Sequence, residues 1–165
     1  MIRTLAVLSF VATILPAVAA ENDFLSSLEG NWQGSGFVRL RPEGELINVS
    51  CSLNNEANGA SISMGGVCRA KAVFSRHIGV DLQASGARYL GSYVGSRRGP
   101  ARLSGARSGN LLTLQVRWPD NGSGPRTASM QVETAGAGHM RLVTTEKHPD
   151  NGQPVVTAQI AFSRR

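Results

Sequence analysis

Three histidines, His77, His139 and His148, and 11 acidic residues are the side chains of this 165-residue chain best suited to moving protons or holding a metal. Hydrolysis needs a nucleophile, a base and an orienting group brought together, and zinc needs several ligands at defined spacing. The histidines lie in or beside turn-forming residues, and neither a Gly-x-Ser-x-Gly elbow nor a His-Glu-x-x-His motif occurs. The close acids Glu43 and Glu45 flank a turn glycine. These residues read as polar turns: no catalytic residue, no metal site and no cofactor is expected, and the chain reads as a non-enzyme.

Charge is the most uneven feature. Between Asp81 and Asp120 no acid occurs, while Arg88, Arg97, Arg98, Arg102, Arg107 and Arg117 do. Arginine binds oxyanions through bidentate hydrogen bonds and through its field. An anion-binding surface over Arg88, Arg97, Arg98, Arg102 and Arg107 is one expectation, with an anionic envelope component or an acidic partner as its target. A solvated outer face is the other. Nucleic acid is not expected, because few aromatics are interleaved with the basic residues and the chain reads as exported. Tyr89 and Tyr93 share one face of a strand across Gly91, so they can line a cavity or fill a core.

The compartment is read from both ends of the argument. Residues 1–20 give a basic Arg3, an apolar run from Leu5 to Leu15, a Pro16 break and small residues at Ala17, Ala19 and Ala20, which is the pattern of a secretory signal peptide. The apolar run is short for a membrane span, so cleavage after Ala19 or Ala20 is expected rather than a retained anchor, with no transmembrane segment left afterwards. Removal takes only Arg3 of the 17 basic residues, leaving 16 against 11 acids. Cys51 and Cys68, an even pair, read as one disulfide of an oxidising compartment. A periplasmic or secreted protein is expected, with residues 21–165 as a single domain.

The elements that position these groups follow from periodicity. With 19 Gly, 41% hydrophobic and 17% charged residues, the chain has the composition of a packed globular domain. Beyond Asn31 short apolar and polar residues alternate, cut every 8–12 residues by Gly, Asn, Asp and Pro, which is the signature of an antiparallel barrel or sandwich. Leu112, Leu114, Val116 and Trp118 alternate with Thr113, Gln115 and Arg117, and Val156, Ala158, Ile160 and Phe162 repeat the device. Strands are also expected at 36–41, 46–53, 67–75, 78–83, 87–94, 101–106, 127–134 and 140–146. Both cysteines have apolar parity. A full strand at 62–64 between theirs would hold them about 9–10 Å apart, so either the chain bends at Gly65-Gly66 or that segment lies outside the sheet. One helix of one or two turns is expected, capped by Asn22 or Asp23, carrying Phe24, Leu25 and Leu28 and stopped by Gly30.

That helix runs into Gly30-Asn31-Trp32, and a short helix followed by Gly-x-Trp on the first strand resembles the calycin superfamily of lipocalins, avidins and heme-binding barrels. The resemblance implies an all-β, up-and-down antiparallel barrel of about 8–10 strands, with Trp32 across its closed end and Arg164 or Arg165 packed over the ring, where cation–π attraction favours it. The heme-binding members' proximal His has no counterpart in the final strand. Gly-x-Trp followed by two cysteines less than twenty residues apart also resembles small periplasmic metalloprotease-inhibitor barrels. The first resemblance implies an exported lipocalin-like protein holding a small apolar or amphipathic ligand in its lumen; Tyr89 and Tyr93, on one face of their strand, are the candidate ligand-binding residues of such a lumen. The alternative is a packed-barrel interaction protein or inhibitor using its Arg-rich face.

Overall fold

The computed structural model describes residues 15–70, 74–120, 122 and 124–165. Arg3, the apolar run that ends at Leu15 and Lys71 fall largely outside them. Among the described residues no helix is long and apolar enough to cross a membrane. One helix, α1 (Leu15–Ser27), precedes ten strands: β1 (Gly30–Val38), β2 (Ile47–Asn58), β3 (Ser61–Ala70), β4 (Phe74–Ser85), β5 (Arg88–Val94), β6 (Ala101–Ser108), β7 (Leu111–Trp118), β8 (Arg126–Thr134), β9 (His139–Lys147) and β10 (Pro154–Arg164). Every strand pairs antiparallel with its sequence neighbour, and β1 pairs with β10 to close the barrel, so no sheet edge is left for another chain to extend.

Alternation decides which side chains face inward. The row Leu82, Gly91, Leu103, Val116 and Ala128 runs through five strands in register, and Ala84, Tyr89, Gly105, Leu114, Met130 and Thr144 form the next. Most of these residues are buried, so β6 to β9 present a continuous apolar inner wall.

The helix closes one end. Phe24, Leu25 and Leu28 are buried against Trp32, which is only 1% exposed. Helices leave their last carbonyls without partners, and here side chains supply them. The Trp32 indole and the Asn55 amide each donate to the Leu28 carbonyl at 2.9 Å, and Arg164 donates to that of Ser27 at 2.5 Å. The same Arg164 guanidinium lies 4.9 Å from the centre of the Trp32 ring. A buried ion pair completes the plug: Glu21 accepts from Arg107 at 2.7 and 2.8 Å, and the Tyr89 hydroxyl donates to the same carboxylate at 2.5 Å. The expected short N-terminal helix is present, but its cap at Asn22 or Asp23 is corrected: the helix runs unbroken from Leu15 and places both residues in its interior.

The hairpin with both cysteines also differs from expectation. Residues 62–64 are neither a separate strand nor outside the sheet; they begin β3, which continues through Gly65-Gly66 to Cys68 without a break. Cys51 and Cys68 are direct cross-strand partners with Cα atoms 4.0 Å apart, and they are disulfide-bonded. Removing this link, by a Cys51→Ala/Cys68→Ala double variant, is expected to lower stability by about 3 kcal/mol on the chain-entropy model. The shift of the urea unfolding midpoint against the wild type measures it.

Candidate functional site

No helix covers the other end of the barrel among the described residues, so it is called the open end; the connections 39–46, 95–100 and 148–153 lie there. Tyr93, near the end of β5, meets Trp118, the last residue of β7, edge to face, with ring centroids 6.3 Å apart and planes at 85°. Such a pair adds about 1 kcal/mol beyond burial and fixes both rings. Arg126 opens β8 as the cross-strand partner of Trp118; its guanidinium lies 5.6 Å from that ring centre and pairs with buried Glu146. Arg76 on β4 donates to the Gly95 carbonyl at 3.0 Å and lies 5.5 Å from the centre of the Phe74 ring. A Cβ at Gly95 would touch the Tyr93 hydroxyl and Ile78, so that glycine keeps the backbone close to both. Burial pushes the Tyr93 hydroxyl above its ordinary range while Arg76 pulls it back, leaving a protonated donor at neutral pH.

Hydrogen-bond satisfaction separates the two ends. Five buried side-chain atoms have no partner among the described residues. Asn22 Oδ1 and Asn55 Oδ1, on the helix and beside it, are acceptors. Arg39 Nε, Arg98 Nη1 and Trp118 Nε1 are donors, and all three belong to residues at the open end. Arg39 follows β1, where its Nη1 donates to Gly44 O at 2.5 Å and its backbone N–H to Thr157 O at 2.6 Å. Arg98 sits in the β5–β6 connection, where its backbone N–H donates to Ser96 Oγ at 3.1 Å.

The wall below this rim is uneven. On β6 to β8 the inward residues Leu103, Leu112, Leu114, Val116 and Val132 are almost fully buried. On β2 to β5 the inward residues Val49, Ile62, Leu82 and Tyr89 are buried too, but Val38, Ile47, Leu53, Met64, Ile78, Val80 and Tyr93 on β1 to β5 stay partly exposed although the register turns them toward the lumen. Two surface depressions, one lined by Ser35, Phe37, Asn48, Ser50 and Arg69 and one by Ser63, Asp81, Gln83, Leu90 and Ser92, lie on the outer wall instead.

The structure divides the residues singled out from sequence. Tyr93 is at the open end, whereas Tyr89 is wholly buried at the closed end, bonded to Glu21. The five arginines do not form one surface. Arg88 and Arg102 point outward from β5 and β6, Arg97 is exposed in the connection, Arg98 is partly buried there, and Arg107 faces inward, engaged by Glu21. Arg102 does face Arg117 across β6 and β7 on the outer wall. His77 lies outward in the middle of β4, His139 opens β9 and His148 follows its end beside Asp150, so the topology places the three apart. Sequence reasoning passed over Arg39, Arg76, Arg126 and Glu146; alternation with Ile78 and Ala128 was the signal that placed Arg76 and Arg126 inward.

No protein-family model and no curated protein matches the sequence. Solved structures do match over nearly the whole chain. Rv2717c from M. tuberculosis superposes with a TM-score of 0.64 at 13% identity, covering 91% of this chain and 98% of that one. The S-type phycobiliprotein lyase CPES from Guillardia theta superposes with a TM-score of 0.56 at 12% identity, covering 90% and 97%. The likeness is one of fold, a closed antiparallel barrel, and the barrel's use is argued from its own residues.

Proposed function

We propose that this protein is an exported, non-enzymatic binding barrel that holds a small apolar or amphipathic ligand in the β1 to β5 side of its lumen, entered from the open end. The observation that carries the reading is the set of inward apolar side chains, Leu53, Met64, Ile78 and Val80 among them, that remain partly exposed while the opposite wall is sealed. Apolar surface facing a semi-enclosed space is stabilised by an apolar guest at roughly 25 cal/mol per Å² removed from water. One of the barrels of similar fold is an S-type phycobiliprotein lyase, and a binding use of this barrel is compatible with that likeness. The disulfide agrees with export.

Val80 lies between Met64 and Tyr93 in the inward row, so Val80→Phe is expected to fill the space. The variant should bind the neutral apolar fluorophore N-phenyl-1-naphthylamine about tenfold more weakly, a loss of about 1.4 kcal/mol, with an unchanged far-UV spectrum. Equal binding by both proteins would place the fluorophore elsewhere and count against the lumen. Native mass spectrometry of protein taken from its own exported fraction should show added mass that disappears on denaturation.

A second reading rests on Arg102 and Arg117. Like charges directly opposite on neighbouring strands are destabilising, and both side chains are exposed. An acidic partner or anionic envelope component bound there would offset that repulsion.

A further inference from the structure

We infer that the open end is an oxyanion site: it receives the carboxylate or phosphate head of an amphipathic ligand on the unpartnered donors of Arg98 and Trp118, with Arg76 and Tyr93 beside them. This rests on the lumen reading above and specifies the ligand's polar end. Buried donors without partners are rare in folded proteins, because each loses its bonds to water without replacement. Here Arg98 Nη1 and Trp118 Nε1 are such donors. Contacts join their surroundings: Tyr93 packs against the Trp118 ring, and Gly95, two residues after Tyr93 and three before Arg98, accepts from Arg76. Side chains that can only donate are complementary to a group that only accepts. An ionised oxyanion is such a group, offering several lone pairs in a small volume.

Charge agrees with donor count. Among the described residues Arg126 is neutralised by Glu146, whereas Arg76 and Arg98 have no carboxylate within ion-pairing distance. Trp118 is 93% buried with its ring held by Tyr93 and Arg126, so its indole N–H is fixed before a ligand arrives. The apolar residues Ile78 and Val80 lie below Arg76 on the same face of β4, which sets the order of the ligand: head at the rim, apolar body in the lumen.

The test compares three ligands of equal chain length, laurate, dodecyl phosphate and dodecanol, against the full chain by titration calorimetry. The wild type is expected to prefer at least one anionic ligand over the alcohol by about tenfold or more, since charge-assisted hydrogen bonds are roughly twice as strong as neutral ones. Preference for laurate or for dodecyl phosphate tells which oxyanion fits. In Arg98→Gln and Trp118→Phe, which keep most of the side-chain volume, the ratio of anion to alcohol affinity should fall toward one, whereas Arg141→Gln on the outer wall should leave that ratio as it is. A wild-type ratio near one, with all three ligands bound, would overturn the oxyanion site and leave the lumen standing. Failure of all three to bind would overturn the lumen reading and the site with it. A ratio that is high in the wild type and unmoved in both variants would assign the selectivity to other residues and also overturn the proposal.

Discussion

Gly66→Ala is expected to destabilise the barrel by about 4 kcal/mol, while Gly65→Ala, one residue earlier, stabilises it by about 0.5 kcal/mol. Both glycines lie in the middle of β3 and neither needs a left-handed backbone. Their surroundings differ. A Cβ on Gly66 would sit 2.0 Å from the Ser52 carbonyl oxygen and 2.9 Å from Leu53 Cα, so the obstacle is the main chain of β2 and no rotamer change removes it. The two strands must move apart where they also carry the Cys51–Cys68 link, two residues away, and ladder hydrogen bonds worth about 1 kcal/mol each are lost with the displacement. A Cβ on Gly65 meets nothing within 4 Å, so the methyl only restricts the unfolded chain. Urea unfolding of the two single variants checks the contrast; equal stabilities would show that β2 and β3 are not so closely apposed at Gly66 as the structure has them.

The same dipeptide shows where sequence reading stops. β7 was legible to the residue, because Leu112, Leu114, Val116 and Trp118 alternate cleanly and Asn110 and Pro119 bound them. β3 and β4 were not. The run from Val67 through Phe74 contains no Gly, Pro, Asn or Asp to mark a turn, so it reads as one strand at 67–75, whereas β3 ends at Ala70 and β4 begins at Phe74. Conversely, Gly65-Gly66 looks like a bend and is continuous strand. β1 begins six residues before the expected Gly36 because its inward positions include Gly34 and Gly36, which carry no hydrophobic signal; those positions are small because β10 passes within 3 Å of where their Cβ atoms would be.

For the site, parity placed Tyr93 on the inner face and also explains Arg107, which alternates with Leu103 and Gly105 and so turns away from outward Arg102. What decides the chemistry, the absence of partners for Arg98 and Trp118, depends on the β5–β6 connection and the end of β7 meeting in space. No spacing rule reaches it.

Loss of the Glu21 carboxylate is the second large effect. Glu21 and Arg107 have side chains only 6% and 15% exposed, and Tyr89 is fully buried, so Glu21→Ala leaves a guanidinium and a phenol at the closed end without their acceptor. Removing one partner of a buried pair costs about 3–5 kcal/mol, and about 4 kcal/mol is expected here. The pH dependence has a definite sign. The Arg107 hydrogen bonds hold the Glu21 carboxyl below its ordinary value of 4.5 against the opposing effect of burial, with Tyr89 assisting, so the folded protein binds this proton less readily than the unfolded chain. The contribution is complete above the unfolded pKa of about 4.5 and is lost as pH falls from there through the lower folded value. Glu21→Gln should therefore be less stable than wild type at pH 7, and the gap should narrow steadily below pH 4.5. Thermal unfolding of both proteins between pH 7 and pH 3 measures it. A gap that stays constant over that range would mean that the Glu21 charge does not hold the helix, and that the plug rests on Phe24, Leu25 and Leu28 against Trp32 alone.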